Sequence, residues 1–200
     1  LKPCKDADEG SLIHDYLKSR HMFHLPSFEQ TCYYDNDQNK IYIFNLDLRS
    51  GKVLGLSIRR IDDYSGPKYN IRNYSEFRKT RLIPKIEENI ITKIDSINNY
   101  FNILNIDFSQ PVYVTEGQID SMFLRNSIAT TGVTKSKSLL GTLLSKNNAR
   151  ILFDNDKAGK TESLKLIKEG YRVFMWSNLI SDLKSKYPNK IQQVLNVKDI

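Results

Sequence analysis

Two cysteines, Cys4 and Cys32, stand in 200 residues. That is too few for a disulfide framework or a zinc ribbon, and they read as reduced thiols of an intracellular protein. Histidine is equally scarce. His14, His21 and His24 with Cys4 make four nitrogen or sulfur donors, but their spacing matches no compact Cys/His motif, so no zinc is expected. No apolar run approaches the ~18 residues of a membrane span. The first residues also lack the basic-then-apolar order of a signal peptide. The chain therefore reads as soluble and cytoplasmic, with no membrane partner. Internal repeats and low-complexity tracts are absent, which excludes solenoids and linker-like arrays. The sequence opens on Leu1 rather than Met, and is read as a fragment with functional parts lying beyond its ends.

What is present is globular composition, 40% hydrophobic and 26% charged, far from the regime of disorder. The formal net charge is +7 and the pI about 9.3, which suits a polyanionic partner as well as it suits a solvated basic surface. Distribution adds to the total. Residues 108 to 200 hold 14 basic and 8 acidic side chains, and the stretch 59 to 85 holds eight and three, so positive charge gathers from residue 59 onward.

Hydrophobic periodicity divides the chain. Residues 8 to 25 read as a helix with Leu12, Ile13, Tyr16 and Leu17 on one face. The runs 41–48 and 52–61 alternate apolar and polar around Arg49-Ser50-Gly51, a hairpin pattern. Residues 82 to 104 carry Ile86, Ile90, Ile94, Ile97 and Phe101 at helical spacing after Pro84, and read as a helix bridging two lobes. From residue 111 strands and helices alternate with short turns. Strands are expected over 111–115, 128–131, 149–153 and 171–175, with helices between them, one over 136–147. Two domains follow: an α+β lobe over 1–107 and a parallel-sheet α/β domain over 108–200, shortened at its carboxyl end.

In open parallel sheets ligands collect at the carboxyl ends of the strands. The strand "PVYVT" delivers Glu116-Gly117 there, and "ARILF" delivers Asp154-Asn155-Asp156. An oxygen-only donor set favours a hard cation such as Mg²⁺ or Mn²⁺. The structural alternative is a helix cap, since Asp after a strand commonly serves as one. Gly159-Lys160-Thr161 ends like the phosphate loop G-x-x-x-x-G-K-[ST], but that loop needs glycine at position 154, which is Asp154.

The segments "VYVTEGQIDSMFLRNSIATTGV" and "ILFDNDKAGKTESL" together resemble the TOPRIM domain, the catalytic module of bacterial-type primases, type IA and type II topoisomerases, and some nucleases and repair proteins. The resemblance covers roughly residues 109 to 200. It implies a Rossmann-like parallel sheet with Glu116 as the family acid and Asp154 and Asp156 as metal ligands. Asp120 matches an acid often found in primases, and equally reads as an exposed helix acid.

Upstream, "GKVLGLSIRRIDDYSGPKYNIRNYSEFRK" resembles the amino-terminal lobe of bacterial and phage primases. Gly55 and Arg59 fall in its glycine-rich strand, Pro67-Lys68-Tyr69 and Phe77-Arg78-Lys79 in the two segments that follow. Ser57 and Ile58 stand where the family has glycines. The resemblance implies nucleotide and template binding by Arg59, Lys68, Lys79 and Asp120, with Lys68 also catalytic. A third acidic motif is expected one strand later, with Asp199 as its first acid and metal ligand, and Asp182 as a weaker competitor. The implied activity is DNA primase: RNA primers made on single-stranded DNA from ribonucleoside triphosphates, using two Mg²⁺ or Mn²⁺ ions, with a replicative helicase as a further partner. Tyr69, Tyr74 and Phe77 are open between base stacking and ordinary packing. The rival readings are a TOPRIM nuclease and a non-catalytic TOPRIM DNA-binding or recombination protein. Topoisomerase activity would need a nucleophilic tyrosine on another large domain.

Overall fold

The computed structural model describes residues 1–25, 28–62, 65–66, 69–73, 75–76, 93, 95–130, 140–141 and 143–195. The chain divides into two compact units, Leu1–Asn105 and Ile106–Ile200.

The first unit is built on an antiparallel sheet of five strands in the order β1-β2-β3-β4-β5. The strands are β1 (Lys2–Pro3), β2 (Cys32–Asp35), β3 (Lys40–Asp47), β4 (Lys52–Arg60) and β5 (Tyr69–Asn73). Its centre is the expected hairpin, and the turn chemistry shows why it forms there. Asp47 accepts from the Arg49 amide at 3.1 Å and from the Ser50 hydroxyl at 2.5 Å, while Gly51 takes φ +67°, a conformation that costs glycine nothing. Alternation then buries Ile41, Ile43 and Asn45 on one face of β3. Helix α1 (Leu12–Ser19) is capped by Ser11, whose side chain accepts from the His14 amide at 3.1 Å. It buries Ile13 and Leu17 beside Met22 and Phe28, the latter in the short helix α2 (Phe28–Thr31). Leu12, expected on the same face, is instead 48% exposed.

A buried amide network fixes the end of this unit. Asn98 accepts from Asn45 at 3.1 Å and donates to Asn73 at 3.0 Å. A Cβ on Gly55 would collide with the Asn98 side chain, so the glycine in the middle of β4 is there for close approach. The expected helix over 82–104 lies partly outside the described residues. Within them, residues 95–98 are helical, but the helix does not run on to 104. The helical residues stop at Asn98; further on, Asn102 takes φ +68°, a left-handed conformation that a helix cannot run through, and its amide donates to Asn45 Oδ1 at 3.0 Å.

The second unit carries a parallel sheet in the order β7-β6-β8-β9, formed by β6 (Val112–Thr115), β7 (Ser127–Ala129), β8 (Ala149–Leu152) and β9 (Arg172–Val173). All three pairings are parallel. The fold class is thus the expected one, an α/β parallel-sheet unit preceded by an α+β unit. Val112, Val114, Ile128, Ala129, Ala149 and Ile151 are fully buried, as a parallel sheet covered on both faces requires. Burying each valine or isoleucine contributes about 1.5–3 kcal/mol. The described helices are α3 (Gln118–Met122), α4 (Lys157–Lys168), α5 (Trp176–Lys186) and α6 (Ile191–Leu195). None of the described helices is long and apolar enough to cross a membrane.

Two expectations are corrected here. The helix read over 136–147 is not helical in its described part, residues 140–141 and 143–147. Gly141 at φ +85° donates to the Leu144 carbonyl at 3.0 Å, a turn that breaks the apolar period. The strand read over 171–175 stops at Val173, because Met175 and Trp176 open helix α5.

Candidate active site

The order β7-β6-β8-β9 reverses direction between β6 and β8. The chain leaves β6 for β7 on one side and returns to β8 on the other, and crevices at such reversals are where α/β sheets bind ligands. Glu116 follows β6 directly and Asp154 lies two residues beyond β8. Across that crevice the Asp154 amide donates to Glu116 Oε1 at 3.2 Å. The pairing of Thr115 with Leu152 sets this register, so the two acids meet because the strands are in step.

Burial, and then the neighbouring charges of Asp154, Asp156 and Asp120, push the Glu116 carboxyl up to about 7; the amide of Asp154 pulls the other way. Four carboxylates therefore share one electrostatic neighbourhood. Asp156 is the N-cap of α4, with Oδ1 accepting from the Gly159 amide at 2.8 Å, so the capping reading of this residue holds. Gly159 is itself required by the packing. A Cβ there would collide with the Asp154 carbonyl oxygen and lie 3.0 Å from Glu116 Oε1. At the other strand end, a Cβ on Gly117 would collide with Asp120 Oδ2, so the Asp120 side chain folds back over the start of its own helix. Each acid of the rim thus has its partner glycine: Gly117 with Asp120, Gly159 with Asp154 and Glu116.

Sequence reasoning passed over Trp176. Its indole N–H donates to the Phe153 carbonyl at 2.7 Å in a buried position, and its ring meets Phe174 edge to face at 5.4 Å. This anchors the residue immediately before Asp154. A cavity of about 460 Å³ begins at the same strand end, lined by Asp154, Asn155, Lys160, Leu164, Phe174 and Trp176 among others.

In the first unit, Arg59 lies near the end of β4 with its guanidinium over the rings of Tyr16, at 5.2 Å, and Tyr69, at 4.6 Å. Tyr69 is half-buried against that cation, which fits packing better than an open stacking platform. Lys68, Lys79, Tyr74, Phe77 and Asp199 lie outside the described residues. Asp182 is exposed on α5. Among the described residues no three His, Cys, Asp or Glu side chains are placed to ligate a metal ion; the Glu116 carboxylate is in direct contact with the backbone amide of Asp154.

The raised carboxyl has a measurable consequence in stability. Between the ordinary glutamate value of 4.5 and about 7, the folded protein holds a proton on Glu116 that the unfolded chain has released. Stability from this group is therefore present below the lower value and lost as pH rises through the window. Urea midpoints in EDTA should show Glu116→Gln gaining on the wild type progressively from pH 5 to 7.5. A constant gap between the two would remove the assigned shift.

The second unit is a parallel α/β sheet with carboxylates at its carboxyl edge, where sheets of this kind bind ligands. Against solved structures, the chain is similar to bacterial and phage primase catalytic cores. With the zinc-binding and RNA polymerase domains of the Aquifex aeolicus primase it shares 18% identity, over 96% of this chain and 50% of that one, at a TM-score of 0.40. With the primase fragment of the bacteriophage T7 primase-helicase protein it shares 14%, over 68% and 52%, at 0.45. With the E. coli primase catalytic core it shares 16%, over 81% and 63%, at 0.43. The chain thus spans about half to five-eighths of the structures it matches. No family model and no curated protein matches the sequence.

Proposed function

We propose that this chain is the catalytic core of a DNA primase of the bacterial and phage type, a nucleotidyltransferase that makes short RNA primers on single-stranded DNA in the cytoplasm of a bacterium or a phage-infected cell. The observation that carries the reading is the approach of Glu116 to Asp154 across the crevice between β6 and β8, with Asp156 and Asp120 close enough to raise its pKa. Repelling carboxylates held together need a proton or a cation to compensate them. Their all-oxygen donor set fits Mg²⁺ or Mn²⁺ and not zinc.

Glu116, Asp154 and Asp156 would hold the cations, two by this reading, with Asp199 as a further ligand. A cation held there would supply charge neutralisation for the triphosphate and would lower the pKa of the attacking 3′-hydroxyl. The rest of the chemistry is positioning. The glycines at 117 and 159 let backbone and acids pack closely at the strand ends, and Trp176 holds the strand that carries Asp154. Arg59, Lys68 and Lys79 bind nucleotide and template phosphates, Lys68 taking part in catalysis, and the basic charge binds template largely without base readout. A replicative helicase is the expected partner.

The test is to incubate the full chain with ribonucleoside triphosphates, single-stranded DNA and Mg²⁺ or Mn²⁺. Primase predicts short RNA that depends on template and on the cation. Nicking of labelled DNA without nucleotides would instead establish a metal-dependent nuclease. Binding without either reaction would establish a non-catalytic DNA-binding protein.

A further inference from the structure

Three arginines lie on adjacent strands of the first unit, and two of them are neutralised. Arg60 pairs with Asp62 through both Nε and Nη2, and Arg72 pairs with Glu76 at 2.6 Å. Arg59 has a different environment. Tyr69 is its direct cross-strand partner on β5, and Tyr16 reaches it from α1, so the guanidinium is contacted on two aromatic rings. Among the described residues no carboxylate pairs with it, and its buried Nε and the buried Tyr16 hydroxyl have no hydrogen-bond partner.

A guanidinium held through ring contacts keeps its terminal N–H groups for something else. Ring contacts satisfy the cation electrostatically without consuming those donors. They also fix the plane of the fork, so less rotamer freedom is lost when a phosphate binds bidentately. A carboxylate partner, as at Arg60 and Arg72, would both neutralise the charge and occupy the fork.

We propose that Tyr16 is a positioning residue for triphosphate binding: together with Tyr69 it clamps Arg59 so that its N–H groups are presented to a nucleotide phosphate. This rests on the assignment of Arg59 to phosphate binding in the proposed function. Tyr16 acts through its ring and not its hydroxyl, so the conservative variant separates this role from a merely structural one.

Equilibrium binding of a fluorescently labelled ribonucleoside triphosphate by the full chain reads the effect, with thermal melts confirming folding. Loss of the ordering that the ring gives the Arg59 side chain predicts that Tyr16→Leu raises the Kd by up to about tenfold, while Tyr16→Phe, which keeps the ring contact, stays within about twofold of the wild type. Tyr69→Leu, on the partner strand, should produce a similar loss and provides the test if Tyr16→Leu fails to fold. Combined with Arg59→Ala, the Tyr16 substitution should add nothing further. In primer synthesis the loss should fall on KM for the nucleotide and leave kcat near its wild-type value. Wild-type binding by a folded Tyr16→Leu, or full additivity with Arg59→Ala, overturns the clamp while leaving Arg59 assigned. Wild-type binding by Arg59→Ala overturns both.

Discussion

Primer synthesis should disappear in Glu116→Ala and in Asp154→Ala, each falling by roughly 10²–10³ or more, the scale set by removing one preorganised electrostatic group from a reacting centre. The loss should not be a folding defect. Glu116 carries a raised pKa from burial and three like-charged neighbours, so its removal relieves repulsion. Asp156 divides into two roles that substitution can separate. Asparagine caps a helix as well as aspartate does, whereas alanine costs about 1 kcal/mol. Asp156→Asn should therefore keep the Gly159 contact and native stability while losing synthesis, and Asp156→Ala should lose both. Single-turnover extension of an annealed primer, run beside urea unfolding, resolves the two. If Asp156→Asn remains fully active, Asp156 is only a cap.

Gly159→Ala should be the most damaging small substitution in the second unit. The new Cβ meets the Asp154 backbone carbonyl and Glu116 Oε1 together, and a backbone atom cannot rotate away. Overpacking of this kind costs about 1–3 kcal/mol, and relief requires α4 to move away from β8 or the strand end to shift. Either movement separates Asp154 from Glu116. Alanine elsewhere in a helix usually stabilises relative to glycine by about 1 kcal/mol, so the sign itself is diagnostic. A Gly159→Ala protein as stable as the wild type would show that α4 and the strand end do not approach this closely.

The hairpin and the parallel strands were legible because their signals are local. Alternation around Asp47–Gly51 specifies one, and short apolar runs separated by helical periods specify the other. The placement of Glu116 and Asp154 at strand ends was legible too, because each follows a short β-rich run. Other features depend on contacts that no spacing encodes. Gly159 reads in sequence as a marker in an acidic motif, but its reason lies in the close approach of the Asp154 carbonyl and of Glu116, forty-odd residues earlier. Tyr16 reads as one more apolar residue of α1, and only the fold brings it over Arg59. The break at Gly141 was hidden by an apolar period that a single left-handed residue interrupts. Helix α5 was obscured in the same way by the β-rich run before it, since Trp176 belongs to the helix but bonds back to the strand end through its indole.

The central claim is that Glu116, Asp154 and Asp156 hold divalent cations at the carboxyl edge of the parallel sheet. Titration of Mn²⁺ into the full chain, followed by the electron paramagnetic resonance of the free ion, tests it without any substrate. Wild-type protein should remove Mn²⁺ from solution, more strongly at pH 8 than at pH 6 as the proton on Glu116 is displaced, and Glu116→Ala and Asp154→Ala should bind markedly less. Equal uptake by the wild type and both variants, or none by any of them, would contradict it.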